Sequence, residues 1–144
     1  MSQLHKLVGA MFITLLLACN LQAEDTAKRL FISLTSGDFK ASGMGAAIAG
    51  AMQDAGVQST VFIGADSVKW VLKKGKQEAF GPTGKSVRDM LVSLSKKGGK
   101  VILCGMCAKY TQTAQKDLIE GVKIVDGNGV YGALFAPNTQ TLSF

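Results

Sequence analysis

The amino-acid sequence predicts an α/β domain in three layers, with helices covering both faces of a mainly parallel sheet. Two observations support this prediction. Short runs rich in β-branched, aromatic and aliphatic residues alternate with segments whose apolar residues recur at helical spacing. Glycines follow several of the predicted helices, which is typical of helix ends. Strands that alternate with helices form βαβ units, and the strands of such units run parallel.

The first half of the domain contains two predicted strands and two predicted helices. Residues 28–35 and 58–63 are apolar runs typical of strands. Residues 46–55 are rich in alanine with apolar spacing, and Gly56 follows them, which predicts a helix with a glycine stop. A short helix is predicted over residues 66–72.

The second half continues the alternation. Residues 84–97 have apolar residues at the spacing of a core-facing helix, and residues 101–104 read as a buried strand. Residues 111–120 are predicted to form another helix. The last predicted elements are residues 122–125 (a strand), residues 130–135 (a strand or a short irregular piece) and residues 139–144 (an edge strand).

Residues 1–23 have the order of regions found in a secretory signal peptide. A lysine without acidic neighbours precedes an apolar run at residues 7–18, and the chain then turns polar. This run is too short to span a bilayer. We therefore expect cleavage after Ala23, export to the bacterial periplasm, and a single mature domain over residues 24–144.

A second interpretation of the leader remains open. The segment Leu16-Leu17-Ala18-Cys19 resembles the lipobox of bacterial lipoproteins, in which the cysteine becomes the lipidated first residue. Membrane anchoring is expected only if Cys19 is lipidated. In either case Cys19 leaves the set of free thiols, and Cys104 and Cys107 remain.

The residue counts exclude several classes of function. The one histidine, His5, lies in the predicted signal, so the mature domain cannot form a Ser-His-Asp or Cys-His catalytic pair. A structural zinc site needs four ligands and a single C-x-x-C supplies two, so we expect no metal. The net charge is +6, but the lysines are scattered rather than massed with aromatic residues, so no nucleic-acid partner is expected.

Two segments match nucleotide-binding patterns only in part. Residues 79–86 fit a relaxed P-loop, but a charged stretch precedes them where a buried strand is required. Ser42-Gly43-Met44-Gly45 hints at a dinucleotide loop, but Ile48 occupies the position that must be small. We therefore expect no cofactor.

The segment that carries chemistry is the C-x-x-C motif at Cys104 and Cys107, where a predicted strand gives way to a polar, helix-compatible stretch. Unpaired backbone N–H groups at such a junction stabilise a thiolate. Cys104 is the better-placed nucleophile and Cys107 the resolving thiol, and Lys109 adds positive charge nearby. Two alternatives remain open: a local disulfide staple, although closing so short a loop adds little stability, and a pair of inert buried thiols.

The fold places a second segment beside the thiols. Ligands of parallel sheets bind beyond the carboxyl ends of the strands. The segment after the first strand, residues 36–45, and the cysteine turn both belong to that edge, so we expect a pocket in which the thiols lie beside a glycine-rich loop. The predicted supporting residues are Lys109, Gly105, Ser36 and Gly37.

Four segments together resemble the DsrE/DsrF-like family: residues 102–109 (ILCGMCAK), 35–38 (TSGD), 84–91 (GKSVRDML) and 118–122 (LIEGV). The resemblance spans nearly the whole mature domain, and the cysteine segment is its most specific part. It implies a flavodoxin-like domain that forms homotrimers or hexamers. It also implies a sulfur-relay role, with persulfide carried on the cysteine that follows a strand, which by position is Cys104. The predicted export signal departs from the cytoplasmic tRNA-thiolation members.

Three functions follow as hypotheses. The first is an exported protein that accepts sulfane sulfur on Cys104 from a donor protein or a small sulfur compound and passes it to an acceptor. The second is a non-catalytic oligomeric binding module whose thiols only form a local disulfide. The third is a thiol-disulfide oxidoreductase of the periplasm. Whether the protein is an enzyme, such as a sulfur transferase, is left open by the sequence.

Overall fold

The computed structural model describes residues 26–144, so the predicted signal peptide and Cys19 lie outside the described residues. The strands are β1 (Arg29–Leu34), β2 (Gln58–Ile63), β3 (Ala79–Phe80), β4 (Lys85–Ser86), β5 (Lys100–Cys104), β6 (Val122–Val125) and β7 (Thr139–Ser143). The α-helices are α1 (Phe39–Asp54), α2 (Val87–Lys96), α3 (Gly105–Tyr110) and α4 (Gly127–Leu134). Three 3-10 helices cover Ala65–Val71, Gly81–Thr83 and Gln115–Asp117.

Five strands form one sheet in the order β6-β5-β2-β1-β7, and every neighbouring pair in it is parallel. The prediction of an α/β domain with a mainly parallel sheet is therefore confirmed. The short strands β3 and β4 form a separate antiparallel hairpin. Within residues 26–144, no helix is both long enough and apolar enough to cross a membrane.

The main core lies on one face of the sheet. Alternate residues of the central strands, such as Ile32, Ile63 and Leu103, are fully buried there against α1 and α2. The period of two sends the intervening residues to the other face, where the rings of Phe31 and Phe62 stack with their centroids 6.0 Å apart.

The connections change from one face of the sheet to the other after β6. From β1 through β2 and β5 to β6 the chain moves in one direction across the sheet, and Ala108 of α3 belongs to the main core. After β6 the chain reverses to reach β7 at the opposite edge. Because parallel crossovers are right-handed, the reversal places α4 on the second face. The loops after β5 and β6 thus diverge, which opens a crevice at their carboxyl ends.

The prediction of a glycine-rich loop over residues 36–45, after the first strand, is wrong. Helix α1 begins at Phe39, because the carboxylate of Asp38 accepts a hydrogen bond from the N–H of Ala41 at 2.8 Å and caps the helix. Gly43 and Gly45 therefore lie inside α1, where a side chain would collide with neighbouring residues of the core. These glycines serve close packing, and the loop at this edge is only residues 35–38.

Two predictions near the C-terminus are also wrong. Residues 111–120 are not a helix, since α3 ends at Tyr110 and Gln112 has a φ of 53°, which turns the chain away. Residues 130–135 are not a strand: Asp126 accepts a hydrogen bond from the N–H of Gly129 at 2.9 Å and starts α4. The predicted edge strand is confirmed as β7, which pairs with β1.

Candidate functional site

The two thiols lie where β5 passes directly into α3. Cys104 is both the last residue of β5 and the N-cap of α3, and Cys107 lies in the first turn of the helix. Both are half-buried and neither forms a disulfide. Gly105 is needed at this junction, because a Cβ there would lie 2.9 Å from the carbonyl oxygen of Val125, the residue paired with Cys104 in β6.

The surroundings of Cys104 favour its thiolate. Burial by itself would raise the pKa of this thiol. Hydrogen bonds from the backbone N–H and the thiol of Cys107, and from the backbone N–H of Met106, outweigh that effect and hold the pKa of Cys104 below its ordinary value. The predicted stabilisation by N–H groups at the strand-to-helix turn is thus the arrangement found around Cys104.

Cys107 has the opposite tendency. Burial raises the pKa of the Cys107 thiol, and its interaction with Cys104 raises it further, although the N–H of Ala65 partly opposes the shift. That N–H donates a hydrogen bond to the Cys107 sulfur at 3.3 Å. Ala65 has a φ of 46°, a left-handed conformation that alanine rarely adopts. Of the two thiols, Cys104 has the lower pKa and therefore loses its proton first, while Cys107 keeps its proton to higher pH.

The two sulfurs border different clefts. Cys104 lines a cleft of about 760 Å³ at the carboxyl ends of β5 and β6, where the connections diverge. Cys107 lines a smaller cleft of about 360 Å³ together with Ala65 and Asp66. Met106 lines both clefts and lies between them. A molecule in the larger cleft therefore meets Cys104 and not Cys107.

The four predicted supporting residues are Lys109, Gly105, Ser36 and Gly37. Lys109 is exposed and lines the larger cleft. The hydrogen bonds that lower the pKa of Cys104 come from Met106 and Cys107, and Lys109 is not among their donors.

Ser36 and Gly37 line neither of these two clefts. Ser36 holds the loop after β1, where its hydroxyl accepts a hydrogen bond from the N–H of Asp38 at 2.9 Å. Gly37 lies against Asp66, and Asp66 lines the cleft of Cys107. Gly37 is therefore close to the smaller cleft, through Asp66, rather than to Cys104.

Several residues of the site were missed from the sequence. Phe62, Val125 and Val130 line the cleft of Cys104 from three separate elements, and only the sheet order brings them together. The pair Asp126-Gly127 after a strand was a readable helix-start signal. No sequence signal marks the left-handed backbone of Ala65.

Within the described part of the chain, no cluster of three or more histidine, cysteine, aspartate or glutamate residues is placed to hold a metal ion.

A five-stranded parallel sheet flanked by helices, with a C-x-x-C turn at the end of β5, defines a flavodoxin-like α/β protein. The model of the DsrE/DsrF-like family matches residues 28–135, and the chain belongs to this family. Family membership supports a sulfur-relay-related kind of function, and members of the family generally act with sulfur-relay partners.

Solved structures show the same fold. The crystal structure of the ychN protein from E. coli has a TM-score of 0.68 and 19% sequence identity, covering 83% of this chain and 100% of that chain. Protein MTH1491 of unknown function from Methanobacterium thermoautotrophicum has a TM-score of 0.64 and 15% identity, covering 81% of this chain and 99% of that chain. No curated protein matches the chain.

Proposed function

We propose that this protein is an exported sulfur carrier, which accepts a sulfane sulfur on Cys104 and passes it to an acceptor thiol. One observation carries the proposal: the thiol of Cys104 borders the large cleft while three hydrogen bonds lower its pKa. The thiolate is the nucleophile in sulfur exchange, so the residue that meets the cleft is also the more reactive one. Membership of the DsrE/DsrF-like family supports this kind of function.

The proposed transfer needs no oxidant. The Cys104 thiolate attacks the outer sulfur of a donor persulfide, R–S–S⁻. The donor S–S bond breaks, its electron pair leaves with R–S⁻, and Cys104 becomes a persulfide. An acceptor thiolate then attacks the outer sulfur of that persulfide, which moves to the acceptor and regenerates the Cys104 thiolate. The same N–H groups that stabilise the thiolate stabilise it again as the leaving group.

Cys107 provides a second outcome. Once deprotonated, its thiolate can attack the inner sulfur of the Cys104 persulfide, which forms a Cys104–Cys107 disulfide and releases hydrosulfide. A dithiol reductant must then reduce the disulfide. Because the pKa of Cys107 is raised, this reaction is slower than it would be with an ordinary thiol, which favours transfer of the sulfur to an acceptor.

Mass spectrometry of the freshly reduced protein after exposure to polysulfide tests the proposal. We expect one added sulfur on Cys104, none at this site in Cys104→Ser, and a longer-lived persulfide in Cys107→Ser because the resolving thiol is gone. An unmodified Cys104 under these conditions would overturn the proposal.

A thiol-disulfide oxidoreductase is the second candidate, and the thiol hydrogen bond between the cysteines favours it. That function requires both thiols, so Cys107→Ser should abolish disulfide reduction while leaving sulfur loading intact. If the protein is instead a non-catalytic binding module, the double variant with both cysteines replaced by serine should retain the cellular function.

Export and assembly are part of the proposal and have separate tests. The intact mass of the protein recovered from bacterial cells distinguishes cleavage after Ala23 from lipidation at Cys19, and recovery from the periplasmic fraction tests localisation. The proposed homotrimer or hexamer is tested by light scattering during size-exclusion chromatography. A monomer at micromolar concentration would refute the assembly without affecting the chemistry of Cys104.

A further inference from the structure

The cleft of Cys104 is walled mainly by apolar groups. Phe62 of β2, Val125 of β6 and Val130 of α4 line it, together with other apolar residues: Met106, Ala108, Ala114 and Ile124. Apolar clefts with a few placed polar groups, at the carboxyl ends of parallel strands where the connections diverge, are typical sites for small organic molecules.

The charges in this cleft do not suit a small inorganic anion. Among its lining residues, all within residues 26–144, Lys109 supplies the one positive side chain and Asp126 the one negative. The Asp126 carboxylate accepts a hydrogen bond from the N–H of Gly129 and adds a negative charge of its own, so Lys109 is the one side chain of this lining that can balance a single bound negative charge, and a second would be unmatched. Thiosulfate carries two negative charges and has no apolar surface, so burying it here would leave much of its charge unmatched.

The size of the cleft also favours an organic ligand. A volume of about 760 Å³ lies within the roughly 300–1,000 Å³ of ordinary small-molecule sites. A single sulfur atom or a short polysulfide would fill a small part of it. The remaining space is lined by the apolar groups of β2, β6 and α4, which gain from contact with an aliphatic group and gain nothing from an inorganic donor.

We propose that the cleft binds an organic sulfane-sulfur donor with an aliphatic body, such as an alkyl persulfide or an alkanethiosulfonate, and presents its outer sulfur to Cys104. This inference rests on the proposed function. With an alkanethiosulfonate, R–SO₂–S⁻, the Cys104 thiolate attacks the outer sulfur. The bond between the two donor sulfurs breaks, and its electron pair leaves with the sulfinate R–SO₂⁻. Cys104 is left as a persulfide.

Binding can be measured separately from chemistry with alkanesulfonates, R–SO₃⁻, which have no sulfur to transfer. We expect the affinity of the reduced protein, measured by calorimetry from methanesulfonate to hexanesulfonate, to rise about fourfold for each added methylene group. In the matching alkanethiosulfonate series, the second-order rate constant of persulfide formation on Cys104 should rise in parallel. The rate constant for the reaction of the same donors with a small thiol in solution should not depend on chain length.

Two variants of α4 locate the effect. Val130→Asp places a charge in the apolar wall. It should remove the dependence of sulfonate affinity and of the loading rate on chain length. Tyr131→Asp is the matched control, because Tyr131 is the next residue of the same helix, is 65% exposed and does not line the cleft. It should retain the full dependence on chain length.

Each outcome distinguishes the two proposals. If Cys104 is loaded at the same rate by every donor and the sulfonates bind without regard to chain length, the inference is wrong and the sulfur-carrier function stands. Faster loading by thiosulfate than by hexanethiosulfonate would also overturn the inference and leave the sulfur-carrier function standing. If no donor loads Cys104, both proposals fall, even where long-chain sulfonates bind.

Discussion

Gly105 is the residue of the thiol turn with the least room for a side chain. The methyl group of Gly105→Ala would lie 2.9 Å from the carbonyl oxygen of Val125, closer than van der Waals contact allows. This oxygen belongs to the backbone of β6, which is paired with β5, so it cannot rotate away. One of the strand ends must shift, and overpacking of this kind costs about 1–3 kcal/mol.

Gly127→Ala is the matched control for this variant. Gly127 is the first residue of α4, as Gly105 is of α3, and nothing lies within 4 Å of the position its Cβ would take. Both substitutions remove backbone freedom from the unfolded chain, which stabilises by about 0.4–1 kcal/mol where the conformation is compatible. The difference between the two variants therefore isolates the collision with Val125.

Urea unfolding under reducing conditions measures this difference. We expect the free energy of unfolding of Gly105→Ala to fall about 1–3 kcal/mol below that of Gly127→Ala, with the same dependence on urea. Alkylation of Cys104 should also slow in Gly105→Ala, because the N–H groups of α3 move relative to the sulfur. Equal free energies in the two variants would refute the claim that Val125 confines this turn.

Three further predictions concern the site and its support. Alkylation of Cys104 should reach half its maximal rate at a lower pH than alkylation of Cys107, because the pKa of Cys104 is lowered and that of Cys107 is raised. Cys107→Ala should shift the pH dependence of Cys104 alkylation to higher pH, and an unchanged pH dependence would contradict the hydrogen bond from the Cys107 thiol to Cys104. Ala65→Gly should stabilise the protein by about 0.5 kcal/mol in thermal unfolding, since glycine tolerates a positive φ. Ser86→Ala should lower the free energy of unfolding in urea by about 1 kcal/mol, because the Ser86 hydroxyl caps α2; an unchanged value would show that the cap is replaced.

Local pattern was sufficient for the elements that pack in the usual way. The strand at residues 58–63 and the last edge strand were both predicted from alternating or β-branched runs, and they are β2 and β7. The predictions failed at two helices that begin with a capping aspartate. Asp38 and Asp126 cap α1 and α4, and these caps outweigh the loop-like glycines of one segment and the β-branched and aromatic residues of the other.

The sequence by itself determined the fold class, the position of Cys104 at the end of a strand and the N–H groups that face its sulfur, because all of these depend on residues within a few positions of one another. Only the tertiary structure decided that Cys104 borders a large apolar cleft and Cys107 a different one. That division depends on the order of β2, β5 and β6 in the sheet and on the N–H of Ala65, which is distant from the motif in the chain. Contacts between distant segments follow from the packing of the whole sheet, and no local pattern encodes them.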